Sequence, residues 1–373
     1  VHLTRLDTGL RRCEVRRFVA LPFDLYRGRP QWCPPLRLDV ARSLDPARHP
    51  FYRHSVAASF LVEQGSRAVG RITVMENRNF NAARSRRDAF FYYFESVDDP
   101  AVADALIAAA ADWARARGLD TLVGPKGFLP GDGLGVLVEG FEHPVPMGVP
   151  YHHPYYDRLL TGCGLGKETD YLSGRLEETH VLPPGFLEAA DAAAAQAGYH
   201  LHEFGSRREL RRWFGRIGEV YNRAFAETWE YCPLTPEEIE VIGARLLALA
   251  DPRLMVVVMR GEEIAGHLFI LPDLGDGLRA ARGRLLPLGW ARLLAEARRT
   301  RTVDLLGLGL LPEHRGRGAN AVVYAAIFRA VGRFRHRHAE VVQIEEGNSR
   351  VLANMTAIGV PWRHRHRIYR LGL

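Results

Sequence analysis

The stretch LLGLGLLPEHRGRGANAVVYAAIFRA, residues 305–330, decides how this chain is read. An apolar strand ends at Leu310-Leu311, a turn rich in arginine and glycine follows, and an amphipathic helix begins. That helix, placed at 318–334, carries Val322, Val323, Ala326, Ile327, Ala330 and Phe334 on one face at helical spacing. Glycine lets the backbone approach a ligand closely and adopt conformations closed to other residues. The unpaired amides at a helix start, with the helix dipole behind them, favour an anion. Arg315 and Arg317 add mobile positive charge around Gly316 and Gly318. Together these make a site for a diphosphate.

Upstream of the turn, residues 254–271 (LMVVVMRGEEIAGHLFIL) form a strand–turn–strand pattern. Residues 59–76 (SFLVEQGSRAVGRITVME) repeat it, with Gly65 and Gly70 echoing Gly261 and Gly266. A short helix ending at glycine then closes each half, at 155–165 and at 351–360 with Gly359 as its stop. Between hairpin and closing helix lie a strand and a longer helix, 89–97 with 100–117 and 303–310 with 318–334. The expected fold is therefore α/β, a mixed sheet with flanking helices, in two units. The boundaries fall at 1–176 and 201–373, joined by a connector at 177–200 that holds Pro183-Pro184-Gly185 and an alanine-rich helix.

The 373 residues are 47% hydrophobic and 25% charged, an ordinary globular composition with material for two cores. No apolar run approaches the roughly 20 residues that span a bilayer. Arg11, Arg12, Arg16 and Arg17 precede no long apolar run, so no signal peptide is expected. Cys13, Cys33, Cys163 and Cys232 are scattered without a CxxC pair, which argues against a zinc knuckle or disulfide framework and fits a reducing cytoplasm. His152-His153 and the pair His364 and His366 lack an HExxH partner; they are expected on the surface, with no metal. The net charge of +7 favours anionic ligands or partners without choosing among them.

The turn Arg315-Gly316-Arg317-Gly318-Ala319-Asn320 resembles the Arg/Gln-x-x-Gly-x-Gly/Ala motif of the GNAT superfamily of acyl-CoA N-acyltransferases. Asn320 departs from its last position. The resemblance implies two GNAT-like units in tandem and acetyl-CoA or a longer acyl-CoA as co-substrate. It also implies that backbone amides from Leu311 to Asn320 hold the CoA diphosphate, and that an amide near Leu310 or Leu311 stabilises the oxyanion. Asn348, after the strand 340–346, has two readings: a helix cap, or a cofactor contact as in many family members. Seven residues on, where many members carry an acidic tyrosine, stands Met355. The whole chain is also similar to a group of bacterial proteins of about this length with paired GNAT-like units. Its marks include Gln31-Trp32-Cys33-Pro34-Pro35-Leu36, His49-Pro50-Phe51-Tyr52, 90–99 (FFYYFESVDD) and 284–290 (RLLPLGW).

Only the second half is expected to bind CoA. In the first half the matching helix begins Asp98-Asp99-Pro100, and carboxylates there cap the helix but repel a diphosphate. Acyl transfer from a thioester to an amine needs an oriented acceptor, a base and an oxyanion donor. Glu345 and Glu346 are the candidate bases; neighbours on a strand face opposite ways, so one of them points inward. Tyr324 is a further catalytic candidate, with core packing as its competing role. Tyr221, Asn222, Trp229 and Tyr231 belong to an aromatic–polar segment, 221–231, proposed to recognise the acceptor, with aromatic packing the alternative. Gly131-Asp132-Gly133-Leu134-Gly135 is a flexible stretch that could line the same cleft. The expected acceptor is a small-molecule or lipid amine; the apolar stretch Leu285–Leu294 admits either a long-chain acyl donor or a lipid amine. Two other functions compete: aminoacyl transfer from tRNA, using the basic stretches 333–338 and 363–370, and a non-catalytic scaffold.

Overall fold

The computed structural model describes residues 2–6, 12–182, 184–229, 231–333 and 336–373. Arg11, Pro183, Glu230, Phe334 and Arg335 lie outside the described residues. The first half runs through β1 (His2–Leu6), α1 (Arg12–Leu25), α2 (Arg37–Ser43), β2 (Val56–Gln64), β3 (Arg67–Glu76) and α3 (Arg78–Arg84). It continues with β4 (Asp88–Ser96), α4 (Pro100–Arg115), β5 (Thr121–Gly124), β6 (Val136–Glu139), α5 (Tyr156–Gly162) and β7 (Gly166–Leu176). The second half begins with α6 (Phe186–Ala197), β8 (Tyr199–His202), α7 (Arg207–Ala224), α8 (Pro236–Leu249), β9 (Val256–Arg260) and β10 (Glu263–Pro272). After α9 (Gly275–Ala281) and α10 (Gly289–Arg299) come β11 (Thr302–Leu310), α11 (Ala319–Arg333), β12 (His338–Glu345), α12 (Ser349–Ala357) and β13 (Trp362–Gly372).

The expected mixed α/β architecture is present, and the two glycine pairs do the same work in each half. Gly65 and Gly261 take φ of +63° and +58° at the hairpin turns, a conformation that disfavours other residues. Gly70 and Gly266 lie inside β3 and β10, where a Cβ would come within 2.6 Å of Val102 and 2.3 Å of Leu310. The helix starts are locally encoded. Asp99 accepts from the Ala101 amide at α4, Asn348 from Val351 at α12, and α8 carries a Thr235–Glu238 capping box.

The strands join one mixed sheet in the order β1-β2-β3-β4-β5-β13-β7-β12-β11-β10-β9-β8, with β6 also on β13. Chain order and sheet order part at the centre. The last strand of the chain pairs with β5 and β7, and β7 pairs with β12, so each half borrows its final strand from the other. Tyr369 of β13 is buried in the first half's core with Phe91, Leu106 and Tyr156. Ile368 and Tyr171 meet Phe51 and Phe128 in a cluster that Trp229 and Val241 of the second half pack against.

Charge pairs fasten this seam. Asp170 of β7, 1% exposed at its side chain, pairs with Arg367 (2.9 Å), Lys167 (3.1 Å) and Arg365 (3.4 Å). Burial alone would raise its pKa; the bonds from Arg367 and Lys167 outweigh that and hold the carboxyl below its ordinary range. Arg370 binds Glu168 at 2.6 Å and Arg363 pairs with Glu177. The arginines of β13 are thus engaged in ion pairs within the fold.

Three of the four histidines expected on the surface, His152, His364 and His366, are buried, and His153 is half-buried. His364 and His366 alternate with arginine along β13 and point to the covered face, and His152 packs beside them. His152 Nδ1 accepts the Leu137 amide at 3.1 Å, and His366 Nε2 donates to the Pro150 carbonyl at 2.8 Å. Among the described residues no group of three His, Cys, Asp or Glu is arranged to hold a metal ion.

Burial pushes the pKa of His152 and His366 down to about 3. Unfolded, each returns to about 6.5. The unfolded chain therefore takes up protons that the folded chain refuses, so stability is full above that value and is lost as pH falls toward 3. From ~pH 7 to ~pH 5 each histidine should cost about 2 kcal/mol of stability, read as a falling urea midpoint. His366→Gln should flatten that slope; an unchanged slope would contradict the assignment.

Candidate active site

A cavity of about 1250 Å³ lies between the halves. Its floor is a split in the sheet. β11 and β12 pair in parallel only from Thr302↔His338 to Leu305↔Val341, and beyond that point they part. Two irregularities open them. Gly307 turns β11 with φ of +62°, next to a register shift opposite His267 and Phe269. Gln343 turns β12 with φ of +46°. Its amide donates to Ser173 Oγ at 3.0 Å and its side chain to the Leu134 carbonyl at 2.7 Å, tying the split to the first half.

The ladder distinguishes the two amides. Leu311 N donates to the Ala265 carbonyl at 3.0 Å and is consumed there. Residues of an antiparallel strand alternate between bonded and unbonded sides, so Leu310, opposite Gly266, turns its backbone groups away from β10, and its carbonyl accepts from Arg315. Of the two residues, only Leu311 has its amide bonded to β10.

The same split exists in the first half and is closed. β4 and β5 pair only as far as Phe90↔Val123. Tyr93, with φ of +52°, holds the position of Gly307 when the hairpins are aligned through Gly70 and Gly266. Here, however, Tyr156 O–H accepts the Ser96 amide at 3.2 Å and Tyr155 donates to the Ser96 carbonyl at 2.8 Å. Glu95 fills the remaining space, bonded by Tyr26 and Tyr156 at 2.7 Å each and paired with Arg71. The aligned second-half residues are His267 and Gly309, which leave that space without a carboxylate. The α4 start is also shut, by the Asp99 cap and an Asp98–Arg158 pair.

The glycine turn before α11 divides its two arginines. Gly316 and Gly318 take φ of +72° and +90°, as a ligand-cradling turn requires, and Ala319 and Asn320 open α11. Arg317 is exposed. Arg315 turns inward: Nε donates to the Leu310 carbonyl at 3.2 Å, Nη2 to the Ala224 carbonyl at 2.5 Å, and Nη1 to Glu227 at 2.9 Å. It braces the strand end against α7. The connector helix α6 covers one flank, since a Cβ on Gly318 would lie 3.1 Å from Ala193.

The remaining candidates separate clearly. Glu345 lines the cavity and accepts from Thr169 Oγ1 at 3.5 Å. Glu346 points away, bonded by Lys167 at 2.8 Å and the Asp170 amide at 3.0 Å. Tyr324, Asn348 and Met355 line the cavity together. Tyr324 O–H accepts from Asn354 at 3.4 Å, and burial raises its pKa, so the phenol keeps its proton. Tyr221 lines the cavity from α7, stacked on Phe225 at 4.5 Å. Its three companions do not join it. Asn222 clamps Leu234 through two backbone bonds, Trp229 donates to Glu168 at 2.9 Å, and Tyr231 lies against Arg84. Trp229 and Tyr231 fasten the halves together and Asn222 fixes its own loop, because the segment starts as helix and becomes a loop only after Ala224.

One wall residue, His49, carried no functional sign in the sequence, whereas the stretch around Asp132 lines the cavity as expected. His49 is 3% exposed, lines the cavity and has both ring nitrogens without a hydrogen-bond partner. Asp132 lines it too, held by Arg245 of α8 at 3.3 Å. A glycine inside a strand signals a bulge, so Gly307 was the available clue to the split.

No family model matches the chain. It is 31% identical over 283 residues to the bacterial ceramide synthase of Caulobacter vibrioides, covering 75% of this chain and 73% of that protein. It is 24% identical over 306 residues to the Escherichia coli protein YghO, covering 81% and 77%. Among solved structures, a tandem GNAT protein from the clavulanic acid biosynthesis pathway superposes with a TM-score of 0.59 at 16% identity, over 100% of this chain and 98% of that one.

Arg315→Ala should cost about 2 kcal/mol of stability by orphaning the Leu310 and Ala224 carbonyls. Arg317→Ala should change it by less than about 0.5 kcal/mol. Equal urea midpoints for the two variants would contradict this division.

Proposed function

The chain belongs to the GNAT superfamily as a tandem pair of GNAT units, and from that premise we propose that it transfers a long-chain acyl group from a CoA thioester to the amine of a lipid. In this proposal residues 201–373 carry the CoA site and residues 1–176 wall the acceptor side, with 177–200 between them. The observation that carries it is the large cavity, walled by residues such as Phe128, Leu246, Leu278 and Leu293, which opens on the β11–β12 split. An acetyl group alone would leave most of that apolar wall uncovered. The ceramide synthase relative bears the same direction of inference.

The fit to CoA rests on the glycine turn and on what surrounds it. Gly316 and Gly318 let the backbone from Leu311 to Asn320 curve around a diphosphate, and Arg317 adds charge outside it. Asn348 caps α12 through Val351 while its residue lines the cavity, so both of its sequence roles remain compatible.

Chemistry follows from the placed groups. The acceptor nitrogen attacks the thioester carbon; a C–N bond forms and the C–S bond breaks. The Leu310 amide faces the developing oxyanion. Glu345 takes the proton released by the amine, directly or through water. Tyr324 replaces the acid missing at Met355: it accepts from Asn354 and its own hydrogen is given to no bond among the described residues, leaving it for the departing sulfur.

Amide formation should be measured with acyl-CoA donors of increasing length and a long-chain amino alcohol. kcat/KM should rise by up to about four-fold per methylene until the cavity is filled. Glu345→Gln and Tyr324→Phe should each lower kcat by about 100-fold or more, with little change in KM for the donor. A preference for acetyl-CoA would sink the long-chain assignment, and full turnover in both variants would sink the two roles.

A further inference from the structure

The hairpin of α9 and α10 is a wall of the cavity on one side and an unpartnered apolar surface on the other. Leu274, Leu278 and Leu293 line the cavity. Outside, Leu286, Leu288, Trp290 and Leu294 are 78%, 62%, 54% and 45% exposed. They are four of the eight large apolar side chains exposed among the described residues, gathered in one short segment. Dispersed surface leucines need no explanation; a contiguous cluster marks a contact surface.

The tip that carries them is held firmly. Gly289 leaves no room for a Cβ, which would fall 1.6 Å from the Arg284 carbonyl, and Trp290 N donates to the Leu285 carbonyl at 2.9 Å. The hairpin is docked on the first half: Arg37 N donates to the Gly283 carbonyl at 2.9 Å, and Arg279 Nε to the Trp32 carbonyl at 3.2 Å. Trp290 Nε1 donates to the Pro287 carbonyl at 3.1 Å, which satisfies the indole's polar end within the loop. The apolar side chains therefore face outward from a fixed frame.

Charge identifies what covers them. Between residues 282 and 301 stand six arginines against one glutamate. Arg282, Arg284, Arg292, Arg298, Arg299 and Arg301 are all exposed. The helix α10 is amphipathic, with leucine and tryptophan beside arginine, the pattern that lies in a bilayer interface and favours anionic headgroups. We propose that the α9–α10 tip docks on an anionic lipid bilayer, with Leu286, Leu288 and Trp290 in the acyl boundary and the arginines on phosphates. Docking stands on this surface alone; that it delivers lipid to the cavity one hairpin away rests on the acyl-transfer proposal.

The test is co-sedimentation of the full chain with phosphatidylglycerol–phosphatidylcholine vesicles and with phosphatidylcholine alone. The wild type should pellet with the anionic vesicles and be released by salt. Leu286→Asp with Leu288→Asp, and separately Arg284→Glu with Arg298→Glu, should each weaken the partition constant about ten-fold or more, with urea midpoints unchanged. Wild-type protein that stays in solution, or variants that bind as it does, would overturn docking. So would a wild-type dimer that does not bind vesicles and that the paired leucine variant converts to monomer, since a second copy would then cover the patch. Amide formation from detergent-dispersed substrates, measured in parallel, separates a failure of docking from a failure of the acyl-transfer proposal.

Discussion

The antiparallel pairing of β7 with β13 is the constraint on which the rest depends. It places the last strand of the chain inside the first half and lends a first-half strand to the second. Asp170 is the polar anchor of that pairing, buried and bonded by Arg367 and Lys167. A carboxylate so placed is worth little as a net gain, but removing one partner leaves an uncompensated charge, which fixes the register strongly. With the strands exchanged, the halves cannot separate without breaking sheet hydrogen bonds. The cavity between them is consequently a fixed feature of one sheet and not a cleft between hinged lobes.

The same bulge then serves two ends. Tyr93 and Gly307 sit at matching places in β4 and β11, both in the left-handed region. Backbone strain of about 1–3 kcal/mol at a non-glycine residue persists only where its surroundings enforce it. At Tyr93 those surroundings include Ser43, bonded at 2.9 Å, and the ring of Tyr92. The first half has filled its split with Tyr26, Tyr156 and Glu95, while the second has kept glycines at 307 and 309. At this pair of strands the two halves differ in side-chain volume and charge.

Much of this was legible in the sequence because the signals are local. The hairpin glycines, the Asp99 and Asn348 caps and the α11 stripe from Val322 to Ala330 act within a few residues of themselves, and the structure bears each out. The strand exchange was hidden because β13 has the same alternating pattern wherever it pairs. That alternation did carry one unused message: in 363–367 (RHRHR) the period of two already sends both histidines to one face. Arg315 was misleading for a similar reason. Its charge is visible in sequence, but the direction of its side chain is set by the carbonyls of Leu310 and Ala224, one of them in a distant helix.

Hydrogen exchange on the intact protein with and without CoA tests the central claim, that only the second split receives the cofactor. The amides of Leu306–Leu310 and of Gly316–Asn320 should slow on CoA addition, while those of Phe91–Ser96 and the α4 start keep their rates. Slowing confined to Phe91–Ser96, or no change at either split under saturating CoA, would contradict the account.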